Sequence, residues 1–279
     1  MDYGLYHGKN ITGAGCVKNG KEVSFVKGHM GGNEIVLVPR REFPRGTELS
    51  AGLTVLEPNS VGGDQLGLLY EGTEGSDLRA KIIDRHSQNY IQICGGLTQV
   101  LGRALYEGGL LERFDLGLPG GPDELGLETD IGVFAISLEP GGVVTSEMDP
   151  FLDYVYNLGV ESGRVSGVLS YRVGDFFVAF ESEIKTNFPE VSLDRLDDAT
   201  KEVLVELQRN FSRKFTPGKD NRDFAVLGAP EIGSNRGRLI FPHRISEGLI
   251  EPACGTGTIA AAIGLVEEGL ASPHGRYKL

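Results

Sequence analysis

The stretch EPACGTGTIAAAIG, residues 251–264, places a cysteine directly before Gly-Thr-Gly and a run of alanines. Alanines are strong helix formers, so the sequence predicts a helix from about Gly257 to Glu268. Cys254 would then lie at the helix N-terminus, where unpaired N–H groups and the helix dipole stabilise a thiolate and bind anions. The alternative is a small buried cysteine packed under a glycine-rich turn.

A second cysteine has the same surroundings. Cys94 stands in IQICGGLTQVLGRAL, which predicts a strand, the cysteine, Gly-Gly and a helix from about Gly96 to Glu107. The two cysteines are about one domain length apart. If they face each other across a cleft, one thiolate can remove a proton from a carbon while the opposite thiol donates one. The helix N-termini would bind the substrate carboxylate. Such chemistry inverts a stereocentre, and we expect it to need no cofactor.

Composition excludes several classes of protein. A chain of 279 residues with 40% hydrophobic and 24% charged residues is typical of a globular protein with room for two lobes. The formal net charge of −12 argues against nucleic acid and anionic membranes as partners. There is no apolar run of membrane-spanning length, and MDYGLYHGKN lacks a signal-peptide core. Three cysteines without a CxxC pair indicate reduced thiols, so we expect a cytoplasmic protein.

Short apolar segments between Gly, Pro and Asn residues predict a strand-rich fold. The expected strands are 34–39, 66–70, 78–84, 131–138, 167–173, 176–180, 224–227 and 238–241. A third, charged helix is expected over 193–210, as a packing helix on the surface. Cys16, in TGAGCVKNG, has no helix behind it and is interpreted as incidental. The histidines are too scattered to predict a metal site.

Several segments in order resemble the diaminopimelate epimerase family, within a wider group that includes proline racemase and the methylaconitate isomerases. Besides the Cys-Gly-Thr-Gly loop, they are FVKGHMGGNEIVLV (25–38), VGGDQLGLLYEG (61–72) and ETDIGVFAISL (128–138). The resemblance implies an α+β fold with two pseudo-symmetric lobes, each a curled mixed sheet around a central helix, and an active site in the cleft between them. We expect an N-terminal lobe over 1–140 carrying Cys94 and a C-terminal lobe over 141–279 carrying Cys254.

The resemblance also implies roles for individual residues. Cys94 and Cys254 would be the catalytic pair, and Asn33 would hold the substrate. From the residues themselves, the backbone N–H groups that follow the cysteines are predicted to bind the substrate carboxylate. Arg85 and His86, close to Cys94 in sequence, are candidates for lining the cleft, and a surface position at a strand end is the alternative for His86. The predicted backbone contacts are Gly95, Gly96, Gly255, Thr256 and Gly257.

The chain departs from the family pattern at several of these positions. Gly96 and Leu97 stand where the family's first loop has Asn-Gly, and Arg85 stands where the epimerase has a second substrate asparagine. The family's mid-chain Gly-Asn-Pro-His segment becomes residues 174–177, Gly-Asp-Phe-Phe. Because lost hydrogen-bond partners would cost a polar substrate heavily, diaminopimelate itself is not the expected substrate.

Three functions remain open on the sequence. The first is a racemase or epimerase, independent of pyridoxal phosphate, that inverts the α carbon of an amino acid by thiol and thiolate proton transfer. The second is an isomerase that shifts a double bond in an unsaturated carboxylic acid, and the third is a non-catalytic relative that binds a small acid. The expected partner is a small carboxylic or amino acid, and a homodimer is left open.

Overall fold

The computed structural model describes residues 12–17, 21–30, 32–106, 114–115, 124–139, 143–218, 223–228, 238–242, 250 and 254–272. These residues form fourteen strands and six helices in two compact units, 1–151 and 152–279. No helix among them is long and apolar enough to span a membrane.

The described residues of the first unit form nine strands and two α-helices, and α3 (Asp149–Leu158) crosses the boundary to the second unit. Its strands are β1 (Thr12–Val17), β2 (Lys21–Met30), β3 (Asn33–Pro39), β4 (Gln65–Glu71), β5 (Leu78–Asp84), β6 (Asn89–Ile91), β7 (Glu124–Thr129), β8 (Gly132–Glu139) and β9 (Val143–Ser146). Its helices are α1 (Glu48–Leu56) and α2 (Gly95–Tyr106).

The nine strands form one mixed sheet in the order β1-β2-β3-β4-β5-β7-β8-β9, with β6 paired to β5. The pairs β3–β4 and β5–β7 are parallel, and the other pairs are antiparallel. Helix α2 contacts β2 and β3 near one edge and also β8 and β9 at the other. A sheet whose distant strands contact one helix must curl around that helix, which makes α2 the centre of the unit.

Side chains of the first sheet alternate between two cores, as the pleat requires. Ile35, Leu37, Leu69 and Ile82 pack with α2. Val36, Val38, Leu66, Leu68 and Ile83 pack on the other face with Val55 and Leu56 of α1. The central strands are therefore apolar on both faces, which explains their continuous hydrophobic sequences.

The second unit contains a five-stranded mixed sheet in the order β10-β11-β12-β13-β14. Its strands are β10 (Val160–Val165), β11 (Val168–Val173), β12 (Phe176–Phe180), β13 (Phe224–Gly228) and β14 (Arg238–Ile240), and its helices are α4 (Glu181–Asn187), α5 (Asp198–Phe215) and α6 (Gly255–Glu267). Helix α6 packs on β11, β12 and β13. Phe177, Ala179 and Phe224 instead pack with Leu207 and Phe211 of α5.

The two units repeat one order of elements. Strands β2, β3, β4 and β5 pair as antiparallel, parallel and antiparallel, and so do β11, β12, β13 and β14. The parallel pair is bridged by α1 in the first unit and by α4 and α5 in the second. In each unit the last of these strands precedes a cysteine and then the central helix, α2 or α6. The predicted α+β class, with similar mixed-sheet lobes around a central helix, is confirmed.

The sequence places the domain boundary after residue 140, and the structural division lies at residues 151 and 152, inside α3. Strand β9 explains the difference in position. Its residues Val143–Ser146 pair with β8, and Val144 packs against the core around α2, so they belong to the first sheet.

The eight expected strands are present with ends shifted by at most a few residues, and the helices after the two cysteines begin at Gly255 and Gly95. The third helix begins later than expected, at Asp198 instead of residue 193. Asp197 explains this start because its side chain accepts a hydrogen bond from the N–H of Thr200 at 2.9 Å and caps the helix. Strand β10 was not expected, since its polar sequence VESGRV carries no apolar alternation.

Candidate active site

Cys94 lies directly before the first residue of α2, and its side chain is 6% exposed. The N–H of Leu97 approaches the Cys94 Sγ at 3.3 Å as a donor. A Cβ placed on Gly96 would lie 3.5 Å from that Sγ and 3.1 Å from Cδ1 of Ile35. A side chain at Gly96 would therefore press on Ile35 and contact the thiol.

Cys254 is the N-cap residue of α6 and is partly exposed. Its backbone is extended, with φ −141° and ψ 114°, which turns the side chain back over the first helical turn. The N–H of Gly257 donates to the Cys254 Sγ at 3.4 Å, and Oγ1 of Thr256 lies 3.4 Å from the same sulfur. The sulfur thus occupies the position that a serine or aspartate oxygen takes in an ordinary helix cap.

The two cysteines share one local geometry. In each case the N–H three residues later, of Leu97 or Gly257, donates to the sulfur. The threonine after that donor, Thr98 or Thr258, turns its hydroxyl to a backbone carbonyl of the first turn. An N–H donor and the positive end of a helix both favour the thiolate form of cysteine. Each unit therefore places a cysteine sulfur at the start of a helix with a main-chain N–H directed at it.

Three polar side chains of the first sheet lie on the sheet face that packs on α2. Asn33, Gln65 and Asp84 stand at the ends of the adjacent strands β3, β4 and β5, and we call them the amide row. Their same-face neighbours Ile35, Gly67 and Ile82 pack on α2, and Ile35 borders Gly96. Alternation along each strand therefore puts the amide row on the face that carries Cys94.

The start of α6 has a different lining. A Cβ on Gly257 would lie 2.5 Å from Cε1 of Phe241 and 3.0 Å from Cε1 of Phe176. Both rings are buried, with Phe241 2% and Phe176 7% exposed. The first turn of α6 thus packs against two aromatic rings, whereas the sheet face that packs on α2 carries two amides and a carboxylate at its strand ends.

Arg85 and His86 lie in an ionic cluster around Asp64. Arg85 Nη2 is 3.1 Å and His86 Nε2 is 3.4 Å from Oδ1 of Asp64, and the N–H of Glu34 donates to Oδ2 at 2.9 Å. Glu34 and Asp64 immediately adjoin Asn33 and Gln65 in sequence, so they point to the α1 face of the sheet. The role of Arg85 and His86 in binding a substrate stays a prediction.

The partners of Asp64 stabilise its negative charge. Burial raises the pKa of this carboxyl, but the hydrogen bonds from His86 and the Glu34 N–H and the charge of Arg85 outweigh burial and lower its pKa. A carboxyl with a lowered folded-state pKa stabilises the fold above its unfolded pKa of about 4, and this contribution is lost as pH falls through the folded value.

We therefore expect Asp64→Asn to lower the free energy of unfolding by about 2 kcal/mol at pH 7, measured by urea denaturation. The difference from wild type should shrink below about pH 4, where the wild-type carboxyl also becomes protonated. Asp130→Asn is the matched control, because the Asp130 side chain is 42% exposed and its ion pair with Arg79 is long, at 3.7 Å. We expect this substitution to change the free energy of unfolding by less than about 0.5 kcal/mol. A pH-independent Asp64→Asn difference would contradict this account.

The other predicted site residues lie at the starts of helices or strands. Gly95 and Gly96 begin α2, while Gly255, Thr256 and Gly257 begin α6. Asn33 begins β3 and is half-buried. Their contacts with a substrate stay predictions. The sequence does not single out Gln65 or Asp84: Asp64 and Gln65 stand in the family-like segment VGGDQLGLLYEG without an assigned role, and Asp84 carries no local signal. Cys16 pairs through its backbone with Glu22 in β1, and its side chain lies outside the described residues, as does His243.

Comparison with known proteins gives relatives of one kind. The chain is 26% identical over 274 residues to a diaminopimelate epimerase from Synechococcus sp. (strain JA-3-3Ab), covering 92% of this chain and 87% of that protein. It is 23% identical over 253 residues to a diaminopimelate epimerase from Bacteroides thetaiotaomicron, covering 90% and 84%. No protein-family model matches the chain.

Solved structures show the fold. A hydroxyproline epimerase from Agrobacterium vitis, with bound trans-4-hydroxy-L-proline, matches with a TM-score of 0.55 at 16% identity, covering 91% of this chain and 79% of that one. The chain has the diaminopimelate epimerase-like fold. A methylitaconate-delta-isomerase matches with a TM-score of 0.52 at 13% identity, covering 91% and 84%. The resemblance predicted from the cysteine loops is thus confirmed, and the proteins that share this diaminopimelate epimerase-like fold include epimerases and an isomerase.

Proposed function

We propose that this diaminopimelate epimerase-like protein is a cofactor-independent racemase or epimerase that inverts the α carbon of an amino acid. The observation that carries the proposal is the repeated geometry of Cys94 and Cys254, each with a main-chain N–H directed at its sulfur. Two such thiols supply the acid and the base that inversion needs. The similarity to diaminopimelate epimerases over most of the chain supports the same class of reaction.

In the proposed mechanism one cysteine is a thiolate and the other a thiol. The thiolate takes the α proton, and the electron pair left on carbon delocalises into the substrate carboxylate. The thiol on the opposite face donates its proton to the same carbon, which completes inversion and leaves the two sulfurs with exchanged protonation states. The first-turn N–H groups of α2 and α6 stabilise the carboxylate as its charge rises. The proposal requires that both sulfurs reach one substrate carbon.

Diaminopimelate is not the substrate that we propose. Gly96 stands where the family's first loop has asparagine and offers no side chain to a substrate, and Leu97, in place of the family's glycine, is fully buried near Gly67. Arg85 is paired with Asp64, whereas the family has a substrate-binding asparagine there. A smaller amino acid, with fewer polar groups to satisfy, fits these replacements better.

The alternative function is the shift of a double bond in an unsaturated carboxylic acid. A proton would leave one carbon and return to another, and the structural match to a methylitaconate-delta-isomerase makes this alternative worth testing. A third candidate is a non-catalytic protein that binds a small acid.

Solvent-deuterium incorporation distinguishes these functions. The protein is incubated in D2O with a panel of amino acids, diaminopimelate and unsaturated dicarboxylic acids, and each acid is analysed by NMR. We expect incorporation at an α carbon with loss of optical purity. Incorporation at an allylic carbon would favour the isomerase instead. Absence of incorporation throughout the panel would contradict both enzymatic functions.

A further inference from the structure

The amide row forms a directed chain of hydrogen bonds. Gln65 Nε2 donates to Oδ1 of Asp84 at 3.4 Å, and Asn33 Nδ2 donates to Oε1 of Gln65 at 3.4 Å. The three residues are neighbours across the sheet, since Gln65 pairs with Asp84 on one side and with Ile35, two residues from Asn33, on the other.

Asp84 determines the direction of this chain. An ionised carboxylate only accepts hydrogen bonds, whereas the two ends of an amide are a donor and an acceptor that can exchange places. Asp84 is 8% exposed and also accepts the N–H of Ser87 at 2.7 Å, which holds its carboxylate in place. Gln65 must therefore turn its NH2 group to Asp84 and its oxygen to Asn33. Asn33 in turn must give its NH2 group to Gln65.

This arrangement leaves one acceptor open, that is, without a hydrogen-bond donor among the described residues. Oδ1 of Asn33 is buried and accepts no hydrogen bond from the described residues. A buried acceptor without a donor is costly, and it is costlier still beside a second acceptor. Asn33 lies on the face of α2 and Cys94, next to Ile35, which borders Gly96. Alternation along β3 thus places the open atom on the side of the sheet that packs with α2 and Cys94.

We propose that Asp84, acting through Gln65, is a positioning residue that keeps the Asn33 carbonyl oxygen as the open acceptor beside Cys94, so that the site takes a substrate N–H donor. The substrate would present an amino or imino group there. A keto or ether oxygen or a second carboxylate would meet Asn33 Oδ1 as acceptor against acceptor. The choice of an amino acid rests on the proposed function, whereas the direction of the chain does not.

A double-mutant cycle tests the direction without any ligand. Asn33→Asp puts an acceptor against Oε1 of Gln65, so Gln65 must reverse and then opposes Asp84. Adding Asp84→Asn supplies an amide that donates to the reversed Gln65. We expect Asn33→Asp to lower Tm by about 3 °C or more and the double variant to recover most of this loss. In a Gln65→Met background the recovery should disappear. Additive effects of Asn33→Asp and Asp84→Asn would show that Asp84 does not set the direction of the hydrogen-bond chain.

Matched ligand pairs test the preference for a donor. The pairs are proline with tetrahydrofuran-2-carboxylate and glutamate with 2-oxoglutarate, in which an oxygen acceptor replaces the amino or imino group. By calorimetric titration we expect the wild type to bind the nitrogen-bearing member of at least one pair about tenfold more tightly. Asp84→Asn should reduce this ratio several-fold, because the row can then reverse.

The outcomes separate this inference from the proposed function. Equal binding within every pair, binding of neither member of any pair, or a ratio unchanged by Asp84→Asn would overturn the donor preference. Failure of deuterium incorporation would overturn the proposed function but leave the ligand-free coupling intact. Absence of coupling between Asn33→Asp and Asp84→Asn would overturn the positioning role of Asp84 even in a protein that incorporates deuterium.

Discussion

Cys94→Ser and Cys254→Ser should each lower the rate of inversion by about 10³-fold, since each removes one of the two groups that transfer protons in the proposed mechanism. A serine hydroxyl at a helix N-terminus remains a hydrogen-bond partner but is far too weak an acid to replace a thiol. The fold should survive, because serine is a favourable N-cap residue and can accept the same N–H of Leu97 or Gly257.

The single variants should differ in stereochemistry. Each retains one thiol, so each should still exchange the α hydrogen of one enantiomer with D2O while failing to produce the other. Polarimetry measures inversion, and NMR of the separate enantiomers measures exchange. Cys16→Ser is the control and should invert the substrate at the wild-type rate. If either active-site variant retains full inversion, its thiol has no part in the mechanism.

Gly257→Val should both lower the free energy of unfolding strongly and disturb the surroundings of Cys254. An added Cβ would lie 2.5 Å from Cε1 and 2.8 Å from Cδ1 of Phe241, a buried ring that cannot move aside freely. Overpacking of this kind costs about 1–3 kcal/mol, and the two further methyl groups of valine place the cost at the upper end. The first turn of α6 must shift, which carries the Gly257 N–H away from the Cys254 sulfur.

Urea denaturation should therefore show a free energy of unfolding lowered by about 3 kcal/mol in Gly257→Val, and activity should fall with it. Thr256→Val is the matched control, because it alters the adjacent residue and removes the hydroxyl near Sγ while leaving the contact of Gly257 with Phe241 unchanged. Combining Gly257→Val with Phe241→Leu should cost less than the two single changes together. An additive result would show that the ring is not the obstacle.

Local signals predicted much of the architecture. The run of alanines after Cys254 and the amphipathic pattern after Cys94 indicated α6 and α2, because helix propensity and period act within a few residues. Apolar segments such as FFVAF predicted β12, which is buried on both faces. The third helix was placed too early, since the capping hydrogen bond of Asp197 competes with the wider amphipathic pattern over 193–210.

The sequence by itself determined that two similar units each place a cysteine before a central helix, because the Cys-Gly turn and the helix that follows are consecutive in the chain. Tertiary structure decided which side chains from distant parts of the chain meet. Asn33, Gln65 and Asp84 meet only because β3, β4 and β5 are neighbours in the first sheet. Phe176 and Phe241 meet Gly257 only because α6 packs on the second sheet. The ion pair between Arg85 and Asp64 likewise depends on the tertiary structure. Strand pairing and side-chain alternation bring residues together across long loops, and no local pattern in the sequence records which strands will be neighbours.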